Sequence, residues 1–355
     1  MVVVDGELKR FMKVSLTIMV SLLYSYFISS KLPKGKFRLI SLFPVFFLFA
    51  LLPLSLSSVF LTGTIAFFIT WLTTFKLLLF SFNLGPLVSD PPLTFPLFAS
   101  VACLPIKIKP KEIDPNYKYP EKYVNPKLPT KILLFAILIA ANDHIDQLRP
   151  NVKICFYCLT LYLFVDFLLG VSSAIVGSAF DGVVLEPPSN EPYLATSLQD
   201  FWGRRWNLLV SNTLRYGIYR PVRAAVDGVV GKRWAAGTGV MAVFVASGVM
   251  HEQLVYYISR EVPTWEVTWF FVLHGVCVVL EFELKRVVGG RWQPPAVVAW
   301  LLTLSFMVVT ASWLFFPQLM RADIFAVLLK ELKMVEEFVW KLILSLFQNT
   351  TLKRA

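Results

Sequence analysis

Uninterrupted apolar runs constrain this chain more than any other feature of its sequence. A helix of about 20 apolar residues crosses the hydrocarbon core of a bilayer, and such runs recur along the whole chain. Apolar residues make up 56% of the sequence and charged residues 16%, which excludes an ordinary soluble domain. The candidate spans lie near residues 14–30, 39–61, 64–84, 131–145, 153–176, 236–258, 267–284, 296–316 and 324–347. The sequence therefore predicts an all-α, polytopic transmembrane helical bundle of about 8–10 spans, with residues 1–355 forming a single membrane-embedded domain.

Three of these spans need comment. The run at 131–145 is short and ends in the polar NDHID, and the run at 324–347 carries charged residues that include Lys330, Glu331, Lys333, Glu336 and Glu337. Each fits a helix lying in the membrane interface as well as it fits a span. The first run follows MVVVDGELKRFMK and has no small-residue cleavage site before Lys31, so we expect a retained anchor instead of a cleaved signal peptide.

Lysine and arginine concentrate in the loops, within residues 31–38, 104–131, 204–233 and 285–291. With nine spans these loops share one side of the membrane, which the positive-inside rule makes cytosolic. The N-terminus is then lumenal and the C-terminus cytosolic, although the basic residues at 9–13 argue against this orientation. The net charge of +11 predicts contact with membrane lipid and anionic soluble substrates, and no nucleic-acid partner.

The loop at 104–131 has prolines at five-residue intervals, mixed with lysines and tyrosines. Proline at this density prevents helix formation, and we expect a basic connector on anionic lipid, with a substrate contact as the alternative. The residues concerned are Pro105, Pro110, Pro115, Pro120, Tyr117, Tyr119 and Tyr123.

The cysteines do not predict a metal or redox site. Cys155 and Cys158 share a CxxC spacing, but no partner ligands accompany them, and Cys103 and Cys277 lie alone. We expect four buried thiols and no bound metal.

His251 is the histidine whose position indicates chemistry. It lies well inside the apolar segment AGTGVMAVFVASGVMHEQLVYYIS, where ionisable groups usually face a bundle interior or a wet cavity. Dehydration keeps its imidazole neutral at pH 7, the form that accepts a proton as a general base. A structural histidine bonded to Ser247 is the alternative. A zinc site is not expected, because HExxH would need a second histidine at Val255, and His274 is expected to be structural.

The stretch SLQDFWGRRWN, residues 197–207, concentrates polar groups in this apolar chain. Ser197 with Asp200 three residues later is an N-cap signature, which predicts a helix from Leu198. Helical spacing predicts a polar stripe of Asp200, Arg204, Asn207 and Ser211, and a largely apolar face of Trp202, Trp206, Leu209 and Thr213. An interfacial helix is the alternative, but lipid headgroups do not require a carboxylate and an amide beside the arginines.

Taken together, SLQDFWGRRWN, the downstream LRYGIYRPVR and the intramembrane SGVMHE resemble the membrane-bound O-acyltransferase (MBOAT) superfamily, in its plant wax synthase-like branch. The close matches cover residues 190–260, and the spacing of the spans agrees over the whole chain. The resemblance implies a helical bundle around a tunnel that opens to the cytosol and to the membrane, with acyl-CoA entering from the cytosolic side. It also implies that Asn207 is the motif asparagine of the family and that His251 is its intramembrane histidine.

These roles imply an acyl transfer without a metal, with acyl-CoA as co-substrate and no cofactor. His251 would take the proton of an acceptor hydroxyl as its oxygen attacks the thioester, and Asn207 would hold the acyl carbonyl. We see no nucleophile placed to form an acyl-enzyme, which predicts direct transfer. The predicted substrate-binding residues are Trp202, Arg204, Arg205, Trp206, Arg215, Arg220 and Arg223. The arginines would grip the phosphates of coenzyme A, with lipid phosphate as the alternative partner of each.

The predicted function is acyl-CoA-dependent O-acyl transfer to a lipid hydroxyl, with a long-chain fatty alcohol as acceptor and a wax ester as product. A sterol or diacylglycerol acceptor, or an acetyl-CoA donor, is the alternative within the same chemistry. A lipid or metabolite transporter is the alternative from another class. We expect a multi-pass protein of the endoplasmic reticulum.

Overall fold

The computed structural model describes residues 2–109, 127–180, 183–289 and 294–352, and these residues form helices joined by loops. The α-helices are α1 (Val2–Phe27), α2 (Lys36–Leu51), α3 (Val59–Ile65), α4 (Thr74–Ser81), α5 (Phe95–Cys103), α6 (Leu128–Ala141), α7 (Pro150–Ala179), α8 (Leu198–Asp200), α9 (Leu208–Leu214), α10 (Arg220–Ser259), α11 (Glu266–Val288), α12 (Ala296–Thr310), α13 (Phe316–Arg321) and α14 (Ile324–Leu352). Four π-helical segments join or extend them, at Ala66–Thr73, Phe201–Arg205, Arg215–Tyr219 and Ala311–Phe315. No strand is formed within the described ranges, and the predicted all-α class is confirmed.

Seven helical stretches in the described residues are long and apolar enough to cross a membrane. They are Gly6–Lys31, Lys36–Ser55, Val59–Ser81, Val152–Ala179, Leu208–Ser259, Glu266–Val288 and Ala296–Arg321. The two other predicted spans are those marked above as equally compatible with the interface. α6 has 14 residues, too few to cross the hydrocarbon core, and α14 carries the charged residues named above. Large apolar side chains such as Phe47 and Trp313 are two-thirds exposed, so the exterior suits contact with lipid.

Inside this bundle, charged side chains form hydrogen bonds with backbone groups at helix ends that would otherwise be unpaired. The Glu252 carboxylate of α10 is buried and accepts hydrogen bonds from the backbone amides of Trp265 (2.9 Å) and Thr268 (3.3 Å), at the start of α11. Lys76 is fully buried and donates to the carbonyls of Val101 (2.6 Å) and Leu104 (2.7 Å), where α5 ends. Unpaired backbone groups are costly where water is absent, and each charge complements the helix dipole it meets. These contacts fix the helix ends around the site.

The helices α10 and α11 pack closely against each other. A Cβ atom on Gly248 would lie 2.9 Å from the Cα of Thr268, so the two backbones approach closely there. Gly231, with φ of 78°, interrupts the helical geometry of α10 in a conformation that glycine adopts most readily. The part of α10 after this break carries His251.

The basic connector predicted for 104–131 falls largely on residues 110–126, outside the described residues, and stays a prediction. The predicted orientation in the membrane also stays a prediction.

Candidate active site

A cavity of about 900 Å³ lies between α3, α7, α10, α11 and the segment from α12 to α14. Its wall is largely apolar, and both His251 and Asn207 lie on it. The two residues come from different helical segments, separated by more than forty positions in the sequence. The bundle therefore brings the two predicted catalytic residues to one shared cavity.

The imidazole of His251 is held in a defined orientation. Its Nδ1 lies 2.7 Å from the carbonyl oxygen of Ser247, and because a carbonyl accepts hydrogen bonds only, Nδ1 must carry the proton. The ring packs on Phe271, with centroids 4.4 Å apart. In the neutral imidazole Nε2 is then an acceptor, with no hydrogen-bonding partner among the described residues. This is the tautomer that a general base needs.

The predicted helix start at residue 197 is confirmed, because the hydroxyl of Ser197 accepts from the amide of Asp200 at 3.1 Å. The predicted continuous helix beyond it is wrong. α8 passes into the π-helical Phe201–Arg205, Trp206 is extended, and Asn207 adopts a left-handed conformation with φ of 39°. The polar stripe of Asp200, Arg204, Asn207 and Ser211 and the opposite apolar face therefore do not form, because the chain breaks in the middle of both.

The break places Asn207 on the cavity wall, at the start of α9. Asn207 is 7% exposed, and its side-chain oxygen Oδ1 accepts from the amide of Val210 at 3.3 Å, which caps α9. Asparagine is among the few residues that tolerate this backbone conformation. Because Oδ1 is used by the cap, the Nδ2 amide group is the donor that remains for a ligand in the cavity.

Trp202 forms part of the cavity wall and is fixed by His274. The indole Nε1 of Trp202 donates to Nδ1 of His274 at 3.1 Å, so Nε2 carries the imidazole proton and donates to the hydroxyl of Thr310 at 2.9 Å. His274 is fully buried, in agreement with the structural role predicted for it. Trp202 also packs on Phe271, with centroids 5.7 Å apart, and so supports the ring that contacts His251.

Comparison with known proteins shows which family has this arrangement. Residues 185–273, which include Trp202, Asn207 and His251, match the model of the "Membrane bound O-acyl transferase family". "Probable long-chain-alcohol O-fatty-acyltransferase 3" of Arabidopsis thaliana is 42% identical over 94% of this chain and 96% of its own length. The chain belongs to the membrane-bound O-acyltransferase family.

Two further relatives of this O-acyltransferase are named for different acceptors. "Long-chain-alcohol O-fatty-acyltransferase" of Simmondsia chinensis is 40% identical over 94% of this chain and 95% of its own length. "Acyl-CoA--sterol O-acyltransferase 1" of Arabidopsis thaliana is 40% identical over 86% of this chain and 89% of its own length. Similarity over the chain therefore does not separate the two kinds of acceptor.

The structure divides the predicted substrate-binding residues of the O-acyltransferase into two groups. Trp202, Trp206 and Arg215 lie on the cavity wall, whereas Arg204, Arg205, Arg220 and Arg223 do not. Arg205 is paired with Asp200, Nε to Oδ2 at 2.6 Å. Arg204, Arg220 and Arg223 are exposed to the surroundings of the protein.

The cavity wall also carries a charged pair that no motif of the sequence indicates. Arg233 and Glu283 both line the cavity and are joined by an ion pair, with Nη2 of Arg233 2.5 Å from Oε2 of Glu283. Arg233 precedes His251 by 18 residues, or five helical turns, which places both on one face of α10. This spacing could have identified Arg233, but the glutamate on α11 has no comparable signal.

The prediction of four buried cysteines is wrong. Cys155 is exposed, and Cys103, Cys158 and Cys277 are partly exposed; all four are free thiols. Cys155 and Cys158 lie on the cavity wall. Apolar runs predict burial from water, but side chains on a membrane helix also face lipid or an internal cavity.

Proposed function

We propose that this O-acyltransferase transfers an acyl group from acyl-CoA to the hydroxyl of a lipid alcohol, with a long-chain fatty alcohol as acceptor and a wax ester as product. The observation that carries the proposal is the shared cavity. An imidazole with an unprotonated Nε2 and an amide donor from Asn207 lie on the wall of one largely apolar chamber. An apolar chamber suits an insoluble acceptor.

In this mechanism His251 is the general base. Its Nε2 takes the proton of the acceptor hydroxyl as the alcohol oxygen attacks the thioester carbonyl, and the carbon–sulfur bond then breaks. The resulting imidazolium returns the proton to the leaving thiolate, which gives the ester and free coenzyme A. The carbonyl of Ser247 stays bonded to Nδ1–H and stabilises the positive charge in between. General-base steps of this kind contribute about 10²- to 10⁴-fold in rate.

Asn207 stabilises the charge that develops on the thioester oxygen. Its Nδ2 donor is neutral and is held in place by the cap to Val210, so it needs no reorganisation during the reaction. Exclusion of bulk water by the apolar wall limits hydrolysis of the activated thioester.

The acyl donor is proposed to enter beside Arg215 and Arg233. Arg233 lies about 27 Å from His251 along α10, at 1.5 Å per residue, so the phosphates of coenzyme A would bind far from the reacting thioester. A guanidinium holds phosphate through two parallel hydrogen bonds. For Arg204, Arg220 and Arg223, which lie off the cavity wall, coenzyme A and lipid phosphates are both candidate partners, and the pairing of Arg205 with Asp200 favours a structural role.

A sterol is the second candidate acceptor. The relative named acyl-CoA–sterol O-acyltransferase supports it, because its identity to this chain is close to that of the long-chain-alcohol enzymes. Diacylglycerol as acceptor and acetyl-CoA as donor remain the further alternatives. Residence in the endoplasmic reticulum is likewise proposed and is testable by fractionation of membranes.

The test uses the purified full-length protein with radiolabelled acyl-CoA and a panel of fatty alcohols, sterols and diacylglycerol. The proposal predicts labelled wax ester, and its loss in His251→Ala but not in His144→Ala, which removes an exposed histidine of the 3-10 helical segment Asn142–Gln147 that follows α6. Labelled sterol ester without wax ester would show that the acceptor is a sterol and not a fatty alcohol. Uptake of a lipid or metabolite into vesicles without any ester product would make the protein a transporter and refute the proposal.

A further inference from the structure

Among the residues that hold a left-handed backbone conformation without being glycine, two are joined by the contacts around Asn207. They are Asn207, with φ of 39°, and Glu191, with φ of 46°. Such conformations are strained and persist where the surrounding structure holds them. The two residues belong to segments that are bonded to each other, and the holding contacts can be followed from one to the next.

Residues 188–191, called here the strap, lie against the break at Asn207. The amide of Leu208 donates to the carbonyl of Pro188 at 2.8 Å, and the amide of Asn190 donates to the carbonyl of Arg205 at 2.8 Å. These two bonds bracket Asn207 from both sides along the chain. The conformation of Asn207 therefore depends on where the strap lies.

The strap is anchored to the bundle by Asp166. This carboxylate lies in the middle of the apolar helix α7 and is 4% exposed. Its Oδ1 accepts from the hydroxyl of Ser189 at 2.6 Å, and its Oδ2 is paired with the ammonium of Lys131 on α6 at 2.8 Å. A second anchor joins Lys127 to Glu191, and this hydrogen bond holds the pKa of the Glu191 carboxyl below its ordinary value.

We propose that Asp166 is a positioning residue for Asn207, acting through Ser189 and the strap. The proposal rests on the function proposed for Asn207 above. Packing of α6 on α7 would be served as well by an apolar pair, because a buried ion pair seldom stabilises more than well-packed apolar side chains. Unlike an apolar side chain, the Asp166 carboxylate can accept the hydrogen bond from the Ser189 hydroxyl of the strap while its ion pair with Lys131 holds it in place.

The first measurement is local and does not depend on activity. Ser189→Ala removes the bond from the strap to Asp166 and leaves the ion pair with Lys131 in place. Hydrogen exchange in the peptide that contains Leu208 should accelerate at least tenfold, because its amide is bonded to the carbonyl of Pro188. The matched control is Ser173→Ala, which removes a buried hydroxyl of α7 bonded within its own helix. Unchanged exchange in Ser189→Ala would overturn the proposal.

The second measurement is a double-mutant cycle on ester formation. Ser189→Ala should lower kcat by about 5- to 100-fold with a small change in KM, as misplacement of a catalytic group does, and Ser189→Thr should restore most of it. In an Asn207→Asp background Ser189→Ala should change the residual rate by less than about twofold, because both changes act through one residue. An equal loss in both backgrounds would mean that the strap supports the fold and not Asn207.

The two proposals fail in distinguishable ways. If Asn207→Asp forms ester at the wild-type rate, the catalytic function of Asn207 fails, and the exchange experiment still decides whether Asp166 and the strap hold its conformation. If Asn207→Asp is inactive and Ser189→Ala is fully active, the function of Asn207 stands and the positioning proposal is refuted.

Discussion

Asn207→Asp separates the chemistry of Asn207 from its structural work. Aspartate is also tolerated in the left-handed conformation, and it caps helix N-termini as well as asparagine does, so the bond to the amide of Val210 survives. What changes is one group: the Nδ2 donor of this cavity-lining residue becomes an acceptor oxygen, and the side chain gains a negative charge. Because the fold keeps its contacts, we expect the free energy of unfolding to stay near the wild-type value.

The expected loss of activity follows from the developing charge on the thioester oxygen. Removal of one donor to such an oxyanion typically lowers kcat by about 10²- to 10³-fold, and a like charge nearby adds to this loss. The assay is the initial rate of ester formation from radiolabelled acyl-CoA at saturating acceptor.

The matched control is Asn212→Asp, which adds the same charge to the wall of the same cavity. Its loss should be less than about tenfold, because it removes no donor to the oxyanion. The reasoning is refuted if Asn207→Asp retains more than a fifth of the wild-type rate, or if the two variants lose activity equally.

Three further predictions concern the packing of the bundle and the course of the reaction. Gly248→Ala should lower the free energy of unfolding by about 1–3 kcal/mol, because its Cβ would press on the backbone of α11. Thermal unfolding measures this change. The control is Gly177→Ala, which should not be destabilised because nothing lies within 4 Å of the added Cβ. Lys76→Met should be less stable by about 1–3 kcal/mol, because the carbonyl of Val101 loses its donor whereas that of Leu104 keeps its bond from the amide of Ile106; the lower stability is seen as a lower midpoint in the same assay. If transfer is direct, the double variant that carries Cys155→Ser and Cys158→Ser should form ester at a rate within about twofold of wild type. Loss of activity in this variant, together with a labelled acyl-thioester on the wild-type protein, would instead indicate an acyl-enzyme.

Much of the bundle was predictable because apolar length and composition decide whether a helix can cross a membrane. α6 and α14 were recognised as exceptions from the same properties, shortness in one and charge in the other. The start of α8 was also predictable, because an N-cap bond joins residues three positions apart. Local patterns of this kind need no knowledge of the rest of the fold.

The break at Asn207 could not be predicted from spacing. Residues 197–211 have the pattern of an amphipathic helix, but hydrogen bonds to the carbonyl of Pro188 and from the amide of Asn190 end it there, and those partners depend on tertiary structure. The ion pair of Arg233 with Glu283 could be predicted from the sequence only in part. Its arginine lies on the face of His251 by simple helical spacing, whereas its glutamate comes from the neighbouring helix.

The central claim is that His251 accepts the proton of the acceptor hydroxyl inside the shared cavity. Single-turnover ester formation by His251→Gln, with acyl-CoA binding measured on the same sample, tests it most directly, because glutamine keeps polarity at this position and cannot take up the proton. If His251 is the general base, acyl-CoA affinity should stay within about threefold of wild type and the transfer rate should fall by about 10²- to 10⁴-fold. A transfer rate within about tenfold of wild type would contradict this claim.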